Sequence, residues 1–204
     1  ETDPMFTRIG GYRNNQDFAL YDLGGGDLHH PDIHALVFDP TNPNIFFTGT
    51  DGGVHRTDDV TAATVAWVNL NNNYQTYQFY HVALDPVEGS DFVFGGAQDN
   101  GTTFGGIDVG LPNVTEHTPF FGGDGVAVGI ARRGTNNDIE VYFGLQNGVL
   151  RSNVIGNIRP QGTNNSIFVT YFYLDEDNTN ALYCADGSTM FKTADVENIT
   201  PTTW

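Results

Sequence analysis

The chain repeats one pattern four times. Asp32-Ile33-His34-Ala35-Leu36-Val37-Phe38-Asp39-Pro40 aligns with Phe79-Tyr80-His81-Val82-Ala83-Leu84-Asp85-Pro86. Gly125-Val126-Ala127-Val128-Gly129-Ile130 and Val169-Thr170-Tyr171-Phe172-Tyr173-Leu174-Asp175 follow the same plan. Each is a short apolar strand, and most run into an acidic turn. A second strand then ends in a tight turn, at Thr50-Asp51-Gly52-Gly53, Gln98-Asp99-Asn100-Gly101, Gln146-Asn147-Gly148 and Asp186-Gly187. The spacing is roughly 45 residues, the length of a unit of four antiparallel strands in a β-propeller. The pattern predicts an all-β array of about four four-stranded blades.

The blades fall at about 30–70, 77–118, 121–161 and 168–204. In the first, the strands are expected at His34–Phe38, Ile45–Thr50 and Val54–Thr57, with an outer strand from Trp67. Trp204 takes the place in the fourth repeat that Trp67 takes in the first, so the fourth blade lacks its outer strand. Two expectations follow. Residues 5–10 (Met5 to Gly10) close the last blade, or the chain is part of a larger propeller completed by further blades or another chain. The second is the favoured one, because an open array leaves apolar faces and strand edges uncovered.

The formal net charge is -17, with only 8 Lys and Arg residues. Nucleic acid is therefore a poor partner, because its binding depends on neutralising phosphates. Anionic membrane surfaces are disfavoured on the same ground. No apolar run is long enough to span a membrane, and no signal peptide is apparent. Cys184 stands alone, so no disulfide forms within the chain, and its strand-like setting suits a buried thiol. Sequons at Asn100, Asn113, Asn164 and Asn198 fit a secreted or cell-surface protein.

The segment His30–Pro40, then Asn42-Pro43-Asn44 and Thr48-Gly49-Thr50-Asp51-Gly52-Gly53-Val54-His55-Arg56-Thr57, resembles propellers of the BNR/Asp-box type. These include sortilin (VPS10) domains and family 74 xyloglucanases. Gly95–Thr102 and Gly122–Gly125 resemble the next two blades of that group. The Asp-box is degenerate here. Thr57-Asp58-Asp59, Thr64 and Trp67 keep its hydroxyl, acids and indole but not its glycine. The resemblance implies a structural role for these positions. It also implies a catalytic role for Asp51, which matches an aspartate in a Thr-Asp-Ile-Gly-Gly turn of the xyloglucanases. No residue matches that family's second catalytic aspartate, and Asp99 and Asp124 do not fit its motif.

His30, Asp32 and His34 alternate, which puts them on one face of a strand. The antiparallel partner returns Asp51 to the same end. Two imidazoles with carboxylates make a metal set of His30, Asp32 and His34, with Asp51 alongside, suited to zinc or another divalent metal. The competing reading is structural: turn caps and hydrogen bonds. Gln98, Asp99, Asp124 and Gln146 extend a polar ring at the same end of the array, where ligand binding is expected, although Asp-Gly and Asn-Gly also serve as ordinary hairpin turns. Tyr74, Tyr77, Phe79, Tyr80, Phe120 and Phe121 offer aromatic faces for sugars or for packing between blades. The Gly24-Gly25-Gly26 run reads as a flexible loop.

Two functions are in view. The first is a secreted or surface module that binds glycan or protein, or serves as a building block of an extracellular assembly. The second is part of a xyloglucanase-like glycoside hydrolase. No cofactor is certain, and a divalent metal is the candidate.

Overall fold

The computed structural model describes residues 6–13, 19–21, 25–72, 77–113, 116–163 and 168–204. Met5, Gly24, Tyr74 and Asn164 lie outside them. The described residues form four antiparallel sheets, taken here in chain order. Sheet 1 is β1 (Ile33–Phe38), β2 (Phe46–Thr50), β3 (Gly53–Thr57) and β4 (Val68–Asn69). Sheet 2 is β5 (Phe79–Leu84), β6 (Val93–Ala97), β7 (Gly101–Gly105) and β8 (His117–Phe121). Sheet 3 is β9 (Gly125–Arg133), β10 (Asp138–Leu145), β11 (Leu150–Ser152) and β12 (Gly156–Asn157). Sheet 4 has three strands, β13 (Phe172–Leu174), β14 (Leu182–Asp186) and β15 (Thr189–Thr193). Strand order follows the sequence in every sheet, and among the described residues the only helical elements are three short 3-10 turns. No helix among the described residues is long and apolar enough to cross a membrane.

The strands expected in the first repeat appear within a residue of their bounds. Later repeats depart further: β9 runs past Ile130 to Arg133, and β13 begins at Phe172, three residues after Val169. Phe121, at the start of the third repeat in the sequence, ends β8 of sheet 2. Phe6–Gly10 forms no strand, and Ile9 lies against sheet 1, where its carbonyl accepts the Trp67 indole N–H at 2.5 Å.

Local chemistry explains why each repeat folds on itself. The aspartate that ends the first strand caps the turn that follows. Asp39 Oδ1 accepts from the Thr41 amide at 2.7 Å, and Asp175 Oδ1 accepts from the Asp177 and Asn178 amides at 3.0 and 3.1 Å. Asp85 does the same for Val87 at 3.2 Å. These are Asx-turns, in which a short carboxylate replaces a backbone acceptor. At the end of the third strand, buried hydroxyls do similar work. Thr57 accepts from the Asp59 amide, Ser152 from Val154 and Ile155, and Thr193 from Asp195. The hairpin turns place Asp99 and Asn147 at φ 58° and 62°, the left-handed region these side chains tolerate best after glycine.

The chain divides into two compact units, residues 1–76 and 77–204. The core of the first is Tyr21, Phe46, Val65 and Trp67, with Ile9 and Val60 against it. A buried histidine fastens the N-terminal segment to this core. His29 Nδ1 accepts from the Gly11 amide at 2.8 Å, and its Nε2 pairs with Thr48 Oγ1 at 2.9 Å. Its ring lies 4.1 Å from that of Trp67 and 5.1 Å from that of His55. Because Nδ1 must accept, the ring is neutral with its proton on Nε2. Burial, with His55 and His30 nearby, pushes the His29 pKa down to about 4. Burial also lowers that of His55, against the opposing pull of Leu28 and Asp27.

In the second unit, sheet 3 lies between two neighbours. Along β9, Val128 and Ile130 join Phe92, Phe94 and Phe143 in one core. Ala127 and Ala131 join Tyr142, Phe172, Leu174 and Leu182 in another. The period-2 alternation of a strand thus serves two cores at once, which is why this strand is apolar throughout instead of alternating with polar residues. The same rule governs its polar end. Arg132 turns towards sheet 2 and pairs with the fully buried carboxylate of Asp85 through two nitrogens, Nε to Oδ1 at 3.0 Å. Arg133 turns the other way, bonding Glu140 Oε2 at 3.0 Å, Tyr142 Oη at 3.1 Å and Thr179 in the loop of sheet 4. Glu140 accepts in addition from Ser152 at 2.7 Å. The Arg132 guanidinium holds the Asp85 carboxyl below its ordinary range.

Two outcomes are expected. Removing Arg133 strands Glu140, so Arg133→Ala should cost about 3 kcal/mol or more in chemical denaturation. The double variant Arg133→Met, Glu140→Gln should recover much of that loss. The first unit should be acid-labile. The unfolded His29 imidazole binds a proton below pH 6.5, whereas the folded one resists until about 4. Stability is therefore intact above pH 6.5 and declines progressively from there to pH 4. A Trp204→Phe chain, which keeps Trp67 as its indole, reports this as a falling urea midpoint. A His29→Asn chain should show a markedly flatter profile over the same window.

Candidate functional site

The end of sheet 1 where β1 begins and β2 finishes gathers the residues singled out from the sequence. The Asp51 amide donates to the Asp32 carbonyl at 3.2 Å, which ties the turn after β2 to the start of β1. His34 Nε2 is hydrogen-bonded to Asp51 Oδ1. The carboxylates of Asp32 and Asp51 bring oxygens within 4.8 Å of each other. His30 Nδ1 lies 3.9 Å from Asp32 Oδ2 and accepts from the Asp32 amide at 3.4 Å. His34, Asp32 and Asp51 are exposed, and His30 is partly covered.

A cleft of about 550 Å³ opens beside this group, lined by His34, Thr50, Asp51, Val54, Leu70 and Asn71 among others. The turn that lines it is held by Thr50 and by Asn71, which the sequence reading missed. Asn71 Oδ1 accepts from the Val54 amide at 3.0 Å, and its Nδ2 donates to the Gly52 carbonyl at 2.7 Å. Thr50 Oγ1 accepts from the Gly52 amide and donates to the Gly53 carbonyl. Thr50 was legible as a turn residue. Asn71 was hidden in the run Leu70-Asn71-Asn72-Asn73, where nothing distinguishes one asparagine from the next.

The arrangement has definite chemical capacities. With Asp51 accepting at Nε2, the neutral His34 ring carries its proton there and presents Nδ1 as a lone pair, suited to a ligand proton or a metal. Asp32 and Asp51 together form a carboxylate pair that can hold a divalent cation.

The remaining predicted ligand residues, Gln98, Asp99, Asp124 and Gln146, lie in the second unit, where the side chains of Asp124 and Gln146 are engaged with backbone amides. Asp124 Oδ1 accepts from the Asp99 amide at 3.1 Å. The Asp124 amide in turn donates to Gln146 Oε1 at 3.0 Å. Thr170 repeats the device one sheet later, accepting from Gly148 N at 2.7 Å and donating to the Leu145 carbonyl at 2.5 Å. The hairpin turns of sheets 2 and 3 are thus each clamped by a side chain that precedes the next sheet. Gln98 bonds through its backbone, to Gln78 and Asn100. Tyr80 has its hydroxyl pKa raised by burial and by the nearby Asp124 and Asp99 carboxylates, so this end of the second unit is also strongly acidic.

Of the aromatics, Phe120 and Phe121 pack on Phe143 with ring centroids 5.5 and 5.3 Å away, and Tyr77 pairs with Phe79 at 5.6 Å. Asn113 and Asn198 are exposed, and Asn100 is partly covered in its turn. Cys184 is buried in β14, and burial lifts its thiol pKa to about 11. No protein-family model matches the chain, and no curated protein matches it.

The clamps make a prediction that separates scaffold from ligand contact. Thr170→Val leaves the Gly148 amide without its acceptor and should lower stability by about 1–3 kcal/mol. Asp124→Ala should lower it by about 1 kcal/mol through the Asp99 amide. Equilibrium urea unfolding measures both, and unchanged midpoints would assign these side chains away from the scaffold.

Proposed function

We propose that the four sheets are blades of a β-propeller of the BNR/Asp-box type, in a secreted or surface-displayed protein that binds glycan or protein. Further blades or another chain complete the array. The ligand is taken at the end of sheet 1 that carries Asp32, His34 and Asp51, where a divalent cation bridges the two carboxylates. One observation carries this reading: the His34–Asp51 pair lines an open cleft, with a second carboxylate at its side. The blade assignment is supported by four sheets of sequential antiparallel strands and by hydroxyl caps at Thr57, Ser152 and Thr193, near the positions of the family's Asp-box. The acidic charge and the sequons, of which Asn113 and Asn198 are exposed, favour the extracellular setting.

The hydrolase alternative gains from Asp32 the second carboxylate that sequence matching did not supply. Oxygens within 4.8 Å of each other are compatible with the separation of about 5–5.5 Å in retaining glycosidases, so spacing does not decide between the readings. The bond from Asp51 to His34 favours the shared cation.

Titrating Ca²⁺, Mn²⁺ or Zn²⁺ alone into the chain should give saturable heat, weakened about tenfold or more in Asp51→Asn and in Asp32→Asn. The wild-type chain should retain neutral glycans or a protein ligand in a cation-dependent manner, and Asp51→Asn should not. Hydrolysis of β-glucans that vanishes in Asp51→Asn would instead establish the enzyme.

A further inference from the structure

The two sheet-on-sheet contacts of the second unit use one repeated fit. On the giving side, the middle strand offers an aromatic and, two residues on, a glycine. Phe94 and Gly96 of β6 face sheet 3. Phe94 is 1% exposed, and a side chain on Gly96 would overlap the Val126 carbonyl oxygen. Tyr142 and Gly144 of β10 face sheet 4. Tyr142 is 0% exposed, and a side chain on Gly144 would come within 2.8 Å of the Thr170 carbonyl oxygen. On the receiving side, the first strand of the next sheet inserts two apolar residues at alternate positions, Val128 and Ile130 in β9, then Phe172 and Leu174 in β13, all buried.

Sheet 4 presents a related face. Tyr183 and Ala185 occupy the places of Tyr142 and Gly144, with a methyl group where the two internal contacts carry glycine, and Tyr183 is partly covered while Ala185 is exposed. Tyr173 beside them is 54% exposed, and Met190 is 68% exposed. Lys192, the sole lysine of the chain, holds its ammonium 5.1 Å from the Tyr183 ring. The receiving motif also recurs unused. Leu36 and Phe38 of β1 stand where Val128 and Ile130 stand in β9, and they are 60% and 56% exposed. Phe38 is already oriented by Phe46, whose ring centroid is 4.6 Å away. Asp32 and Asp39 bracket this strand with charge opposite to that of Lys192.

We propose that sheet 4 of one copy receives β1 of a second copy of this chain, with Leu36 and Phe38 seated over Tyr183, Ala185 and Met190. The warrant is continuity: the contact follows, with alanine in place of glycine, an interface that the chain makes twice within itself, and it sets the Lys192 ammonium opposite a strand bracketed by Asp32 and Asp39. Such a contact is heterologous, so it propagates or closes into a ring. It rests on the blade reading above, but its failure would leave the cation-binding test untouched.

Sedimentation of the 204-residue chain from about 1 to about 100 µM should show mass rising above 22.3 kDa with concentration. Leu36→Glu and Met190→Glu both alter exposed side chains, so far-UV dichroism should be unchanged. Each alone should weaken association about tenfold or more. Mixed together, the two variants retain one intact pair of surfaces and should form a one-to-one dimer that grows no further. A chain that stays at 22.3 kDa throughout overturns the proposal. So does association that Leu36→Glu leaves intact, which would assign sheet 4 to a contact with itself or with another surface.

Discussion

The second unit depends on the burial of sheet 3 on both faces. A strand that alternates between two cores has no solvent side, and β9 therefore carries valine, alanine and isoleucine without polar interruption. The adjacent arginines at its end extend the same geometry into electrostatics. Arg132 and Arg133 point to opposite faces and hold the loops of opposite neighbours, through Asp85 and Thr179. In a chain with only 8 cationic side chains, two are committed to this task. Both are buried enough for their hydrogen bonds to carry more weight than exposed pairs would.

The turns divide the labour differently. Asp39, Asp85 and Asp175 satisfy amides within their own loops, and of the three Asp85 is also held from the next sheet, by Arg132. The hairpin turns at Asp99 and Gly148 depend on Asp124 and Thr170, which arrive from the following sheet. At the start of the chain, His34 and Asp51 are bonded to each other while remaining exposed, and this leaves them accessible to a ligand.

Much of this was legible from the residues. The fourfold repeat located all four sheets and most strand limits, because alternation and turn residues report local geometry. The return of Asp51 to the start of β1, beside Asp32 and His34, followed from antiparallel pairing, whereas the metal set expected from the sequence, His30, Asp32 and His34, differs from the carboxylates of Asp32 and Asp51 that lie within 4.8 Å. Other features depend on tertiary neighbours and left no local mark. Phe121 belongs to β8 because it pairs with Thr102, which an apolar run cannot announce. Asn71 supports the cleft from within an asparagine run. The clamping role of Asp124 and Gln146 requires knowing which loop lies beside which, so the sequence offered them only as polar residues at one end. His29 looked like one of several histidines, and only its burial against Trp67 sets it apart.

Every sheet pairs its strands in the order in which they occur, and among the described residues no strand leaves its repeat to join another sheet. A nascent chain can therefore complete each sheet as it emerges, without waiting for a distant partner. The sheet-forming contacts span a few tens of residues, which keeps loop-closure entropy low for an all-β protein. Such an architecture can also be lengthened or shortened by whole units, since adding a sheet needs only a fitting face at the growing end and no rethreading of what is already folded.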